Sequence, residues 1–349
     1  MENNLTADVV KLQQVIDSAT HVPSDLRAKV SEILQRLSRQ AAHGSYAVEF
    51  ESVSHYIDWV VAMPWGKSTK DILDLGHVKQ VLDQYHYGLE TLKDRFLEYL
   101  SILVLNEQKD INNYHAPTLL LVGLVGTGKT TICSSIAAGL GRKLIRIPFG
   151  GMGSALDLRG QSKMLPDAEP GQIVKGLRRA GSSNPIILLD EIDRVADNAR
   201  GEIMGVLVEL LDPNQNNAFI DHYLDYPVDL SQAMFIATAN NTTHISTAVM
   251  DRMEPILMPS YTDDEKIHIA RDYILPAKLA TSALPPNSLK FDEGVWAKMV
   301  RPLGFDAGIR TLERTIDGIV RKTARQLVEG KTREVIITEA NLKHYLSTF

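Results

Sequence analysis

The octapeptide GLVGTGKT at residues 123–130 constrains this chain more than any other stretch, because it fits the GxxxxGK[ST] pattern of a loop that wraps nucleotide phosphates. An apolar run, Thr118 to Val122, precedes it and a helix-patterned segment follows from near Thr131, which are the strand and helix such a loop requires. Gly123, Gly126 and Gly128 permit backbone conformations and approaches that a Cβ blocks, so successive N–H groups, with Thr127 among them, can point at phosphate oxygens. Lys129 supplies a mobile point charge for the β and γ phosphates, and the Thr130 hydroxyl can ligate Mg²⁺. The positive end of the next helix adds to the same pull. On its own the loop predicts a nucleotide site.

What surrounds the loop predicts the fold class. Apolar strands at 118–122, 144–147, 186–190, 234–239 and 256–258 alternate with helical patterns at 130–139, 171–180 and 200–211, with insertions after the second strand and after Leu211. Five such strands separated by helices predict an α/β domain, a buried parallel sheet with helices on both faces, and ligands at the carboxyl ends of its strands. The third strand, IILLDE, ends in Asp190 and Glu191. Four apolar residues before two carboxylates suit a first acid that holds Mg²⁺ through water and a second that activates the attacking water. The fourth strand, FIATAN, brings Asn240 to the same rim, where it can orient that water.

The flanks read as helical. Val10 to Ile16 and Leu26 to Leu37 keep helical spacing, broken at His21 to Pro23; a turn at His43 to Ser45 precedes a helix from Tyr46 to Val61, and Pro64 and Gly66 stop it, with Trp65 as a packing anchor. Helical spacing returns from Leu73 to Lys109 around an aromatic break at Tyr85 to Gly88, and His115 to Pro117 lead into the first strand. Beyond Ser260, Thr262 and Glu265 form a capping box for a helix that Pro276 is expected to stop. Helices near 292–300 and 308–329, a short strand in 333–338 and a helix at 339–346 complete the chain. The expected division is a helical arm at 1–72, a nucleotide-binding α/β domain at 73–259 and a helical lid at 260–349.

Composition excludes more than it identifies. A net charge of −6 disfavours a general nucleic-acid or anionic-membrane binder, and no apolar run approaches the ~20 residues of a membrane helix. The single cysteine, Cys133, cannot form an intrachain disulfide and falls on the inward face of a helix; MENNLTADVV lacks the features of a signal peptide. These readings place the chain in the cytoplasm or an organelle matrix.

Several stretches together resemble the ATPase module of the Lon family of ATP-dependent proteases, of the AAA+ class. They are YIDWVVAMPWGK, YHYGLETLKDRFLEYL, the phosphate loop, NPIILLDEID, LLDPNQNNAFIDHYLDYPVDLS, FIATAN, DRMEPI and AGIRTLER, in the family's order over most of 46–330. The resemblance implies an AAA+ P-loop core with an N-terminal helical arm and a C-terminal helical lid, binding ATP and Mg²⁺ and hydrolysing ATP. It implies that Arg252 is an arginine finger for the γ-phosphate bound by a neighbouring subunit, that Arg310 and Asn240 are the second and first sensors of a bound γ-phosphate, and that Tyr87 and Gly88 cover adenine. A finger acting in trans implies a closed homo-oligomeric ring, a hexamer in the family, whose two insertions project into a central pore and grip unfolded protein substrates.

Departures from the family pattern are local. Leu124 and Val125 stand where the phosphate loop usually carries prolines. Leu165, Pro166 and Asp167 stand at the aromatic, aliphatic and glycine positions of the first pore loop, which removes a π surface and stiffens the loop. The Gly-Ser pairs at Ser45, Ser154 and Ser182 do not resemble the family's Ser/Lys protease motif, so peptide cleavage is expected to need a separate protease or a further domain. The alternative reading is a nucleotide-gated regulatory module that assembles with ATP without threading substrate; a DNA-remodelling machine is a third, disfavoured by the acidic balance.

Overall fold

The computed structural model describes residues 2–41, 47–109, 117–285, 287–300 and 308–346. The turn expected at His43 to Ser45, and the lead-in residues His115 and Ala116, lie outside them. Three helices come first: α1 (Glu2–Ser18), α2 (Ser24–Ala41) and α3 (Ala47–Ala62). Pro64 and Gly66 end this run, and Trp65 anchors the exit by donating its indole N–H to the Val60 carbonyl at 2.7 Å and meeting the Tyr226 ring edge-on. Helices α4 (Leu75–Tyr85) and α5 (Glu90–Gln108) flank the aromatic break, with Asp74 capping α4.

The central unit follows as β1 (Thr118–Val122), α6 (Lys129–Leu140), β2 (Leu144–Pro148), the short α7 (Leu156–Arg159), α8 (Gln172–Ala180), β3 (Ile186–Asp190) and α9 (Arg200–Leu210). A hairpin of β4 (Phe219–Asp221) and β5 (Tyr226–Val228) comes next, then β6 (Met234–Ala239), α10 (Thr247–Met250) and β7 (Met253–Leu257). The five long strands form one parallel sheet in the order β2-β3-β6-β1-β7, as expected of the α/β class. Although β1 and β3 are buried throughout, their residues alternate between two cores. Leu120, Val122, Ile187 and Leu189 share a core with α8, α9 and the N-terminal helices, whereas Leu119, Leu121, Ile186 and Leu188 pack with α4, α5 and α6. Cys133 is fully buried on that second face, where burial pushes its thiol well above the ordinary range.

The remaining elements build a third core: α11 (Asp263–Ile269), α12 (Leu275–Ser282), β8 (Leu289–Phe291), α13 (Glu293–Val300), α14 (Arg310–Val328), β9 (Val335–Ile337) and α15 (Leu342–Tyr345). The capping box is present: Thr262 accepts from the Glu265 amide while the Glu265 carboxylate accepts from the Thr262 amide. Pro276 does not stop the helix. A π-helical turn, Ala270–Ile274, joins α11 to α12, and the Leu275 amide donates five residues back to Ala270. That wider turn moves the carbonyl that the proline ring would strike and needs no N–H from it. The last strand of the main sheet also begins three residues earlier than its apolar run suggests, and the final helix is shorter.

The two insertions are bonded to each other. Asp221, fully buried at the end of β4, accepts from the amides of Gly171, Tyr223 and Leu224 at 2.8, 2.9 and 3.1 Å. Burial raises its carboxyl above the usual range, countered by those three bonds. The His222 amide donates to the Arg159 carbonyl, Arg159 pairs with Glu209, and Lys163 reaches Asp225. The first insertion closes on itself through Gln161 and Glu169, leaving Met164 and Leu165 at an exposed tip. Asp167, at the position of the family glycine, keeps a left-handed backbone with φ of 56°.

Candidate functional site

The phosphate loop leaves β1 and turns through two left-handed glycines, Gly126 and Gly128, with φ of 85° and 88°. A side chain on either residue would be strained there. The Thr127 hydroxyl is turned inward onto the Leu124 carbonyl and its own carbonyl accepts from the Tyr261 hydroxyl, so Thr127 faces the site with backbone only. Lys129 opens α6. Its ammonium donates to the carbonyls of Gly123 and Leu124 and, at 3.3 Å, to Asn240 Oδ1. Burial holds its pKa below the usual lysine range, opposed by the carboxylates of Asp193, Asp190 and Glu191. Two buried polar atoms nearby have no hydrogen-bond partner, Asn240 Nδ2 and Asp193 Oδ1. An unpartnered buried donor costs free energy unless a ligand or water meets it, so a cradle of amides with an orphan N–H suits a polyanion.

The acid pair lies across the loop. Asp190 Oδ1 accepts from Thr238 Oγ1 at 2.6 Å and stands 3.5 Å from Thr130 Oγ1, while Oδ2 accepts from Arg146 Nε at 2.7 Å. Glu191 has a left-handed backbone with φ of 58°, and its amide donates to Thr238 Oγ1 at 2.9 Å. A glutamate in that conformation is held by its surroundings rather than by preference. Among the described residues no three His, Cys, Asp or Glu side chains converge as a metal cage. Thr130 and Asp190 would hold Mg²⁺ together with phosphate oxygens and water, the arrangement this ion prefers.

The lid meets the loop directly. The Ile309 amide donates to the Gly126 carbonyl at 3.1 Å, and a Cβ on Gly126 would lie 3.3 Å from the Arg310 Cβ. Arg310 begins α14 as an exposed cation with no ion-pair partner among the described residues. On the other side, Tyr87 packs on the His268 ring at 4.3 Å, next to the left-handed Gly88. His86 is tied to Ser135 of α6 at 2.8 Å, and Lys93 donates to the His86 carbonyl and to Asp83, so the aromatic strip is bound to the helix that carries the loop. Burial lowers His86 to about 4.

Arg252 is elsewhere. Strands β7 and β1 run in register from Met253 opposite Thr118 to Leu257 opposite Val122, so Arg252 lies beyond the amino ends of the strands whose carboxyl ends carry the loop. The intervening strand is ~16 Å long, more than an arginine side chain spans.

Residues 119–261 match the family described as "ATPase family associated with various cellular activities (AAA)". Residues 280–336 match the "Lon protease AAA+ ATPase lid domain". The chain is an AAA+ ATPase with a Lon-type lid. It is 41% identical over 337 residues to "Lon protease 2" of Thermus thermophilus, a match covering 94% of this chain and 41% of that relative. Lon proteases of Syntrophomonas wolfei, at 40% identity over 98% of this chain and 41% of the relative, and of Lawsonia intracellularis, at 41% over 93% and 38%, are comparably similar. The chain thus spans about two fifths of the length of these relatives. No described helix of this Lon-type ATPase is long and apolar enough to cross a membrane.

Two residues of the site escape sequence reasoning. Thr238 bridges both acids, and its signal is spacing: it precedes Asn240 by two and so shares a strand face with it. Arg146 reaches Asp190 only because β2 lies beside β3, an adjacency that no single segment encodes. Thr238→Val keeps the shape of the Lon-type core but removes the hydroxyl from Asp190 and Glu191. Turnover is expected to fall about tenfold with ATP affinity retained. Equal rates in steady-state ATPase assays would show the bridge to be dispensable.

Proposed function

We propose that the chain is a Mg²⁺-dependent ATP hydrolase that assembles head to tail into a ring, six subunits by family resemblance, and uses ATP turnover to move unfolded protein. The observation that supports this reading is the position of Arg252 at the amino end of β7, farther from its own phosphate loop than its side chain can reach. Lys129 and the loop amides hold the phosphates, and Thr130 and Asp190 position the metal. Glu191 takes the proton of the attacking water and Asn240 orients that water. Arg310 engages the phosphates from the lid, and Tyr87 with Gly88 covers the base. Bound Mg²⁺ supplies charge neutralisation at the phosphates. The protein's own contribution is position and fixed charge.

Arg252→Ala is expected to lower turnover on the order of 10³-fold at protein concentrations where subunits associate, with nucleotide affinity of the dilute chain unchanged. Rates that are independent of protein concentration and insensitive to this change would remove the ring reading. A second reading is favoured by the tip of the first insertion, where Leu165 and Pro166 replace the gripping pair: assembly with ATP but without threading. ATP-driven unfolding of a tagged fluorescent protein supports threading, and its absence alongside normal ATPase supports the second reading.

A further inference from the structure

Arg252 is not a loose surface cation. Its NH1 donates to the Ala248 carbonyl at 2.8 Å and its NH2 to Asp212 Oδ2 at 3.1 Å, while Nε is buried without a partner. Asp212 follows the last turn of α9, the helix that returns from the acid pair, and so lies at the same end of the sheet as Arg252. Its carboxylate is itself fixed: Oδ1 accepts from the Asn214 amide at 2.9 Å and Oδ2 from Gln215 Nε2 at 3.0 Å. Its carbonyl accepts from the Gln215 and Asn216 amides, which opens the turn leading through Asn216–Ala218 into β4. The guanidinium is therefore attached to a point that belongs to the root of the second insertion.

We propose that Asp212 is the positioning residue of Arg252: it fixes the guanidinium in one place and joins it to the insertion that ends at Asp221. This rests on the reading of Arg252 as a finger for a neighbour's nucleotide. The physical case is pre-organisation. A long side chain must lose rotamer freedom to meet a phosphate, and one already held by a carboxylate and a carbonyl has lost it before the partner arrives. The pair alone does little for stability, since partly exposed ion pairs are worth little. The same carboxylate meets the turn of the second insertion and the guanidinium, so the position of one constrains the other. From Asp212 the chain of bonds runs through β4 and Asp221 to Gly171 and the first insertion.

Mixed assemblies separate this role from a structural one. A chain with Glu191→Gln supplies a finger and no hydrolysis; a chain with Arg252→Ala supplies a hydrolytic site and no finger. Their mixture should regain ATPase activity that neither has alone. Asp212→Asn keeps an oxygen for the Asn214 amide, and unchanged urea midpoints of the two chains verify the fold. Placed in the finger donor, it should lower the regained activity on the order of tenfold; in the site donor it should cost less than about twofold. Equal losses in the two placements, or none in the finger donor, overturn the proposal and leave the trans finger standing. No regained activity in the parent mixture overturns both.

Discussion

Glu191→Gln is expected to leave ATP affinity within about twofold and to lower turnover by ~10² or more. Glutamine has the size and polarity of glutamate but cannot accept the proton of an attacking water. The backbone that presents it is fixed independently of the carboxylate, through the bond from the Glu191 amide to Thr238 and the left-handed turn at the end of β3. Loss of charge beside Arg194, 3.7 Å from Glu191, removes only a loose and partly exposed contact. Nucleotide titration calorimetry together with a coupled ATPase assay checks both halves. Undiminished turnover would exclude Glu191 as the base, and lost affinity would assign it to binding.

The second large effect is expected at the junction of lid and loop. A Cβ on Gly308 would lie 2.5 Å from the Val125 carbonyl oxygen and 2.6 Å from the Gly126 Cα. Both obstacles are backbone, so they cannot swing aside as a side chain would. Gly308→Ala must displace either the phosphate loop or the start of α14, and Arg310, two residues on, moves with it. A misplacement of about 1 Å at a reacting centre can cost 10²-fold, and turnover is expected to drop by at least tenfold. The lid has its own core around Trp296, Ile316 and Ile319, so its fold should persist. Unaltered kcat and KM in this variant would show that lid contact is not part of the working geometry.

These predictions differ in how far the sequence alone could reach them. Glu191, Lys129 and the five strands announce themselves because each is a local pattern: an apolar run, a glycine loop, an acid pair. Gly308 reads only as the first residue of a helix until the lid is seen resting on Gly126. Thr238 and Arg146 depend on which strands are neighbours, and Arg252 on which end of β7 faces which end of β1. The hairpin β4–β5 and strand β8 have three residues each, too few for a period of two to stand out, and β8 is fixed by parallel pairing to β9 more than forty residues later. Pro276 misleads for a different reason: a helix that widens locally accommodates a residue that a regular helix excludes.

Asp167 gives the first insertion a property of its own. Its left-handed turn persists although a Cβ makes that conformation cost on the order of 1–2 kcal/mol, which surrounding contacts must supply. A glycine would adopt this turn without that cost, whereas aspartate keeps it against its own preference, and Pro166 fixes the torsion before it. The shape of the tip therefore depends on the contacts around it, and a change in those contacts would favour its release.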